Sequence, residues 1–84
     1  MEKVVVTHKF KPFVDRVRHI TFFRSEFGGI AISIGSYPVE AEKYPHPSIY
    51  GQFYTMYLTP EEFDEFLKLL DTFKEKIGKR NHLI

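Results

Sequence analysis

The sequence predicts an α+β domain, a curved antiparallel β-meander of four to five strands followed by one C-terminal amphipathic helix. Three observations carry that expectation. Between residues 3 and 58, apolar and polar residues alternate with the two-residue period of half-buried strands. Gly- and Pro-rich breaks divide that stretch, so consecutive segments fold back beside one another. From about residue 60 to 78 the period becomes helical, behind a complete capping signal. Nothing in the chain marks a second domain, so residues 1–84 read as one.

Taken in order, Val4-Val5-Val6 is β-branched and opens a first strand from Lys3 to Thr7. Lys9-Phe10-Lys11-Pro12-Phe13 interleaves cations and rings around a proline, which marks a turn or an edge. From Arg16 to about Ser25 the alternation sends Ile20 and Phe22 one way and His19, Thr21 and Phe23 the other. Phe27-Gly28-Gly29 is a hairpin turn. In the next strand Ile30, Ile32 and Ile34 share the expected core face, while Ala31, Ser33 and Gly35 leave the other face small and smooth. Tyr37-Pro38 ends it, and the stretch to Ser48, with Pro38, Pro45 and Pro47, is a loop. Alternation resumes from Ile49 to Leu58, with Tyr54, Met56 and Leu58 opposed to Phe53, Thr55 and Tyr57.

The helix begins at Thr59-Pro60-Glu61-Glu62. Thr59 caps, Pro60 suits the first helical position, Glu62 completes the capping box, and both acids complement the helix dipole. Gly78 is expected to stop it. Apolar residues at 63, 66, 67, 69, 70, 73 and 77 fill an arc of roughly 160°, wider than the ~100° stripe that one sheet contact requires. Phe63, Leu67 and Leu70 are expected to cover the Ile face. Phe66, Leu69 and Phe73 remain as a homodimer seam.

Composition narrows the function. A chain of 84 residues holds one modest core, burying about 60–65% of the surface it exposes unfolded, so a second copy would help it. Nine Phe and five Tyr exceed what such a core hides, which leaves rings for a working surface. Without cysteine there is neither a disulfide nor a thiolate metal site. No apolar run spans a bilayer and none forms a leader core near the start, so no membrane partner and an intracellular, cytoplasmic location are expected, with association with a nucleoid as one option. Catalysis finds no footing. His8, His19, His46 and His82 lie in different elements without metal-ligand spacing, and the acids gather where helix capping explains them. No nucleophile elbow or phosphate loop is present, so neither cofactor nor metal is expected.

The charge is unevenly placed. Residues 1–24 carry +4, residues 25–67 carry −6 and residues 68–84 carry +3, within a total of +1. A basic stretch beside an open ring-bearing sheet face is what unpaired bases and their phosphates require. The bases would stack on His19, Phe23, Phe53 and Tyr57, while Lys9, Lys11, Arg16 and Arg18 track phosphates along the edge. No basic helix is available for a major groove, which disfavours duplex DNA.

Arg18-His19-Ile20-Thr21-Phe22, the Gly28-Gly29 hairpin, Ile32-Ser33-Ile34 followed by Tyr37, and Met56-Tyr57-Leu58-Thr59-Pro60-Glu61-Glu62-Phe63 together span about residues 16 to 75. In these patterns the chain resembles the positive cofactor four family of transcriptional coactivators, within the Whirly-like group of single-stranded DNA binders. The resemblance implies four curved strands and a helix, dimerisation through the helices, and DNA crossing the strands. It implies Phe23, Phe53 and Tyr57 as stacking residues and Arg18, Arg24 and Lys43 as phosphate contacts. Two departures stand out. The family's loop before the last strand is rich in Lys and Gly, whereas residues 41–48 carry Lys43 alone among Pro and Tyr, and Val4–Val6 has no counterpart.

Three functional readings follow. The first is a dimeric binder of single-stranded DNA or RNA. The second is a small homodimeric protein-interaction module without nucleic-acid activity. The third is an enzyme subunit whose site a partner completes.

Overall fold

The computed structural model describes residues 1–81, with side chains through Gly78, so His82 lies outside the described residues. Four strands form one antiparallel sheet in sequence order: β1 (Val4–Lys9), β2 (Arg16–Arg24), β3 (Ile30–Pro38) and β4 (Gln52–Leu58). A single helix, α1 (Pro60–Asn81), follows. This is the expected α+β meander-and-helix order, with strands at the low end of the expected number.

Local chemistry sets each junction. Phe13 and Arg16 exchange backbone hydrogen bonds of 3.0 Å across Val14 and Asp15, which turns β1 into β2. Val14 sits there at φ 58°, a left-handed conformation that a β-branched residue adopts only under strain. Between β2 and β3, Gly28 takes φ 94°, and the Ser25 hydroxyl accepts from the Phe27 and Gly29 N–H groups at 3.2 and 3.0 Å. At the start of α1 the capping box closes in both directions. Glu62 N–H donates to Thr59 Oγ1 at 3.1 Å, and Thr59 N–H donates to Glu62 Oε1 at 2.9 Å.

The register fixes two faces. Val6, Phe22, Ile32 and Met56 lie side by side, as do Ile20, Ile34 and Tyr54. The other face carries Thr7, Thr21, Ser33 and Thr55 in one row and Lys9, His19, Gly35 and Phe53 in another. Each face is covered at one end. The first turns of α1 approach the Ile face, where Phe63 stands near Val4, Val6, Phe22 and Ile30. At the opposite end of the other face, two 3₁₀ turns (Val39–Lys43 and Pro47–Tyr50) close over the sheet. Ala41 packs there against Val17 and Tyr37, all three buried.

Several expectations need correction. The fully buried cluster lies on the ring-bearing face beneath the loop, and on the Ile face Ile32 is buried while Ile34 is 52% exposed. Ile49 belongs to a 3₁₀ turn, so the last strand begins at Gln52. Gly78 does not stop the helix, which continues to Asn81. Along α1 the half-buried pair is Phe63 with Phe66, their rings stacked 6.1 Å apart, whereas Leu67 and Leu70 stay exposed. The exposure of Ile34, Leu67 and Leu70 has one cause, because α1 meets the sheet through its first turns and then runs past it. The radius of gyration is 15.9 Å, against about 12 Å for a compact chain of this length.

Candidate nucleic-acid interface

The face built by odd-numbered residues of every strand is polar, hydroxyl-rich and ringed. Across its middle, Thr7 and Thr21 share a hydroxyl hydrogen bond of 3.0 Å, and Thr55 donates to Ser33 at 3.2 Å. On one side of this row stand Phe23 and Tyr57, on β2 and β4, with the small Ala31 between them. Tyr57 is 79% exposed. On the other side His19 and Phe53 flank Gly35, with ring centroids 5.1 Å apart and planes 38° from parallel. A Cβ on Gly35 would lie 2.7 Å from His19 Cε1 and closer still to the Phe53 ring. Gly35 is therefore what lets both rings lie over β3.

Lysines border this face. Lys3 Nζ sits 5.8 Å from the centroid of Phe23, and Lys43 Nζ sits 5.3 Å from that of Tyr44. Lys9 Nζ pairs with Glu42 Oε1 at 2.7 Å, tying β1 to the 3₁₀ loop. That hydrogen bond holds the Lys9 ammonium above its ordinary pKa and the Glu42 carboxyl below its own. Lys11 is exposed in the segment after β1, and its carbonyl accepts from Arg18 Nη2 at 3.1 Å.

The register separates the arginines from the rings. Arg16, Arg18 and Arg24 share parity with Ile20 and Phe22, so they stand on the Ile face, opposite His19, Phe23, Phe53 and Tyr57. Each is also engaged there. Arg16 Nε donates to Ser36 Oγ at 2.9 Å, and Arg24 Nη2 donates to the Glu2 carbonyl at 2.7 Å. The Arg18 guanidinium lies 5.7 and 5.5 Å from the ring centroids of Phe10 and Phe13. Of the ten predicted contacts, the structure gathers His19, Phe23, Phe53, Tyr57 and Lys9 on one face. It places Lys11 and Lys43 in adjoining segments and the three arginines behind the sheet.

Comparisons with protein-family models, curated proteins and solved structures gave no match.

Sequence reasoning missed Lys3 over Phe23, the continuous hydroxyl row, and the part Gly35 plays beneath the rings. All three were accessible through parity, since residues opposite one another in adjacent strands must share a face. Among the described residues, no three His, Asp or Glu side chains gather as metal ligands. No helix there is long and apolar enough to cross a membrane.

Proposed function

We propose that this chain is a non-catalytic binder of single-stranded DNA or RNA, working through the ring-bearing sheet face. One observation carries the reading. Beyond the cluster buried beneath the loop, one sheet face brings together His19, Phe23, Phe53 and Tyr57 with a hydroxyl row and bordering lysines, while the Ile-rich surface and the arginines occupy the other. Unpaired bases stack on rings irrespective of sequence, at roughly 1–3 kcal/mol per base, and lysines draw in the phosphates. This is also the activity expected from the resemblance to positive cofactor four-type proteins.

The reading includes a homodimer. On the Ile face Ile34, Tyr54 and Met56 are exposed, and on α1 so are Leu67, Leu69, Leu70, Phe73 and Ile77. Together, across sheet and helix, they present on the order of 600 Å² of apolar surface, at the upper end of what a typical monomer leaves exposed and approaching one side of a standard interface. A second copy supplies both missing partners, a helix for each uncovered sheet and a sheet for each uncovered helix. One edge of the apolar arc of α1 carries Asp64 and Asp71, opposite in charge to the Arg16 and Arg18 that border the Ile face, while Lys74 lies among Leu70, Phe73 and Ile77.

Fluorescence anisotropy with labelled dT15, at two salt concentrations and against duplex competitor, tests the binding. Engagement of Lys3, Lys9, Lys11 and Lys43 would give a salt slope near −3, hence about a fiftyfold loss between 50 and 200 mM salt. Phe53→Ala and Tyr57→Ala should each weaken binding, and duplex should compete poorly. Absence of binding at low salt would refute the reading and turn the face over to a protein partner. Sedimentation equilibrium tests the dimer, with Leu69→Asp and Phe73→Asp expected to halve the measured mass.

A further inference from the structure

The loop between β3 and β4 carries two rings that neither the core nor strand pairing uses. Tyr44 and Tyr50 lie 5.1 Å apart at a 35° tilt. They are 44% and 54% exposed, and Lys43 stands over the first. The loop holds them in place. Ala41 is buried against Val17 and Tyr37 of the ring-bearing face, and the Lys9–Glu42 pair clasps the same turn to β1. Backbone bonds from Tyr44 to Ala41, Ile49 to His46 and Gly51 to Ser48 close both turns at 3.0–3.1 Å. Pro45 and Pro47 lower the entropy that ordering this segment would cost. A preformed, hydrated ring pair beside a cation, anchored on the same sheet face as His19 and Phe53, has the chemistry of a base-stacking site.

We infer that Tyr44, Tyr50 and Lys43 form a second platform for unpaired bases, extending the strand-face track past Phe53 and setting the length of strand the protein covers. This rests on the proposed single-strand binding and adds its footprint. From Tyr57 to Phe53, four residues of β4 span about 13 Å, and Tyr50 is at most about 10 Å further along the chain. At about 3.4 Å per stacked nucleotide, the strand rings take roughly four nucleotides and the loop rings up to three more. A dT4 probe therefore fills the strand platform alone, and dT15 reaches both.

The test is anisotropy titration of dT4 and dT15 with the full chain and three double variants. Tyr44→Ala/Tyr50→Ala should lose about tenfold or more on dT15, since each stacked ring contributes about fivefold to a hundredfold, while dT4 affinity changes by less than about twofold. Tyr44→Phe/Tyr50→Phe keeps the rings and should bind dT15 as wild type does. Phe53→Ala/Tyr57→Ala should weaken both probes. Unchanged dT15 affinity in the alanine pair would overturn the second platform while the strand-face reading stands, as would an equal loss on dT4. Failure of the wild-type chain to bind either probe would overturn both readings together.

Discussion

Gly35→Ala is the smallest change that should dismantle the stacking face. The added methyl would come within 2.7 Å of His19 Cε1 and press harder on the Phe53 ring. Ordinary carbon–carbon contact lies near 3.5–4.0 Å, so the rings must withdraw by roughly 1 Å or leave their rotamers. Overpacking of this kind costs about 1–3 kcal/mol, and separation of the His19–Phe53 pair costs about 0.5–1.5 kcal/mol more. Against this, alanine restricts the unfolded chain and recovers about 0.5–1 kcal/mol. The net expectation is a loss of about 0.5–4 kcal/mol, and at its middle, about 2 kcal/mol, a domain of this size loses roughly 8–16 °C in Tm at fixed protein concentration. Binding should suffer as well. With one ring of the platform displaced, dT15 affinity should fall by at least about fivefold at a temperature where the variant is fully folded. Thermal melts followed by circular dichroism and anisotropy titration of the same samples read both effects. An alanine variant that melts and binds like wild type would refute the claim that Gly35 seats these rings.

Three further outcomes are expected. Thr59→Ala removes one half of the capping box and should destabilise the chain by about 1 kcal/mol in denaturant unfolding, leaving oligonucleotide affinity unchanged below the transition. Val14→Asn relieves a β-branched residue held at φ 58° and should raise Tm by roughly 5 °C, because the left-handed conformation costs about 1–2 kcal/mol and the exposed valine side chain leaves little packing to lose. The Lys9–Glu42 clasp has a defined pH window. Glu42 is depressed below 4.5 by its hydrogen bond to Lys9, so its stabilisation is present above that value and is lost as pH falls through the lower folded one. Lys9 is raised above 10.5, so its share is present below that value and is lost as pH rises through the higher folded one. A carboxyl-detected NMR titration should place the Glu42 midpoint below 4.5, and Lys9→Met should raise it. A midpoint indifferent to Lys9→Met would rule out the pairing in solution.

Much of this arrangement was legible in the sequence because the signals were local. The Gly28 turn and the Thr59–Glu62 box satisfy their own backbone groups within four residues, so no distant contact could move them. The alternation through β2, β3 and β4 likewise gave the strand faces directly. What local signals do not contain is where an element goes after it starts. The arc of α1 showed that it needed more than one contact, but its direction relative to the sheet decides which residues meet that sheet. Phe66 is thus half-buried where Leu67 was expected, and Ile34 is uncovered where a core was expected.

The arginines teach a stricter lesson, because the rule that places them was already in use. Once Ile20 and Phe22 are assigned to one face of β2, strand geometry assigns Arg16, Arg18 and Arg24 to the same face, however well their charge suits phosphates. Grouping them with His19 and Phe23 followed charge along the chain and ignored parity. Lysines, whose long stems let them reach around an edge, border the face proposed for phosphates. Arginines, whose planar fork stacks on rings and pairs with carboxylates, border the face proposed for a second copy with its acidic helix edge. If that division holds, substituting the lysines should change the salt slope of nucleic-acid binding. Substituting Arg18 should instead change the monomer–dimer equilibrium and leave the slope per bound chain unaltered.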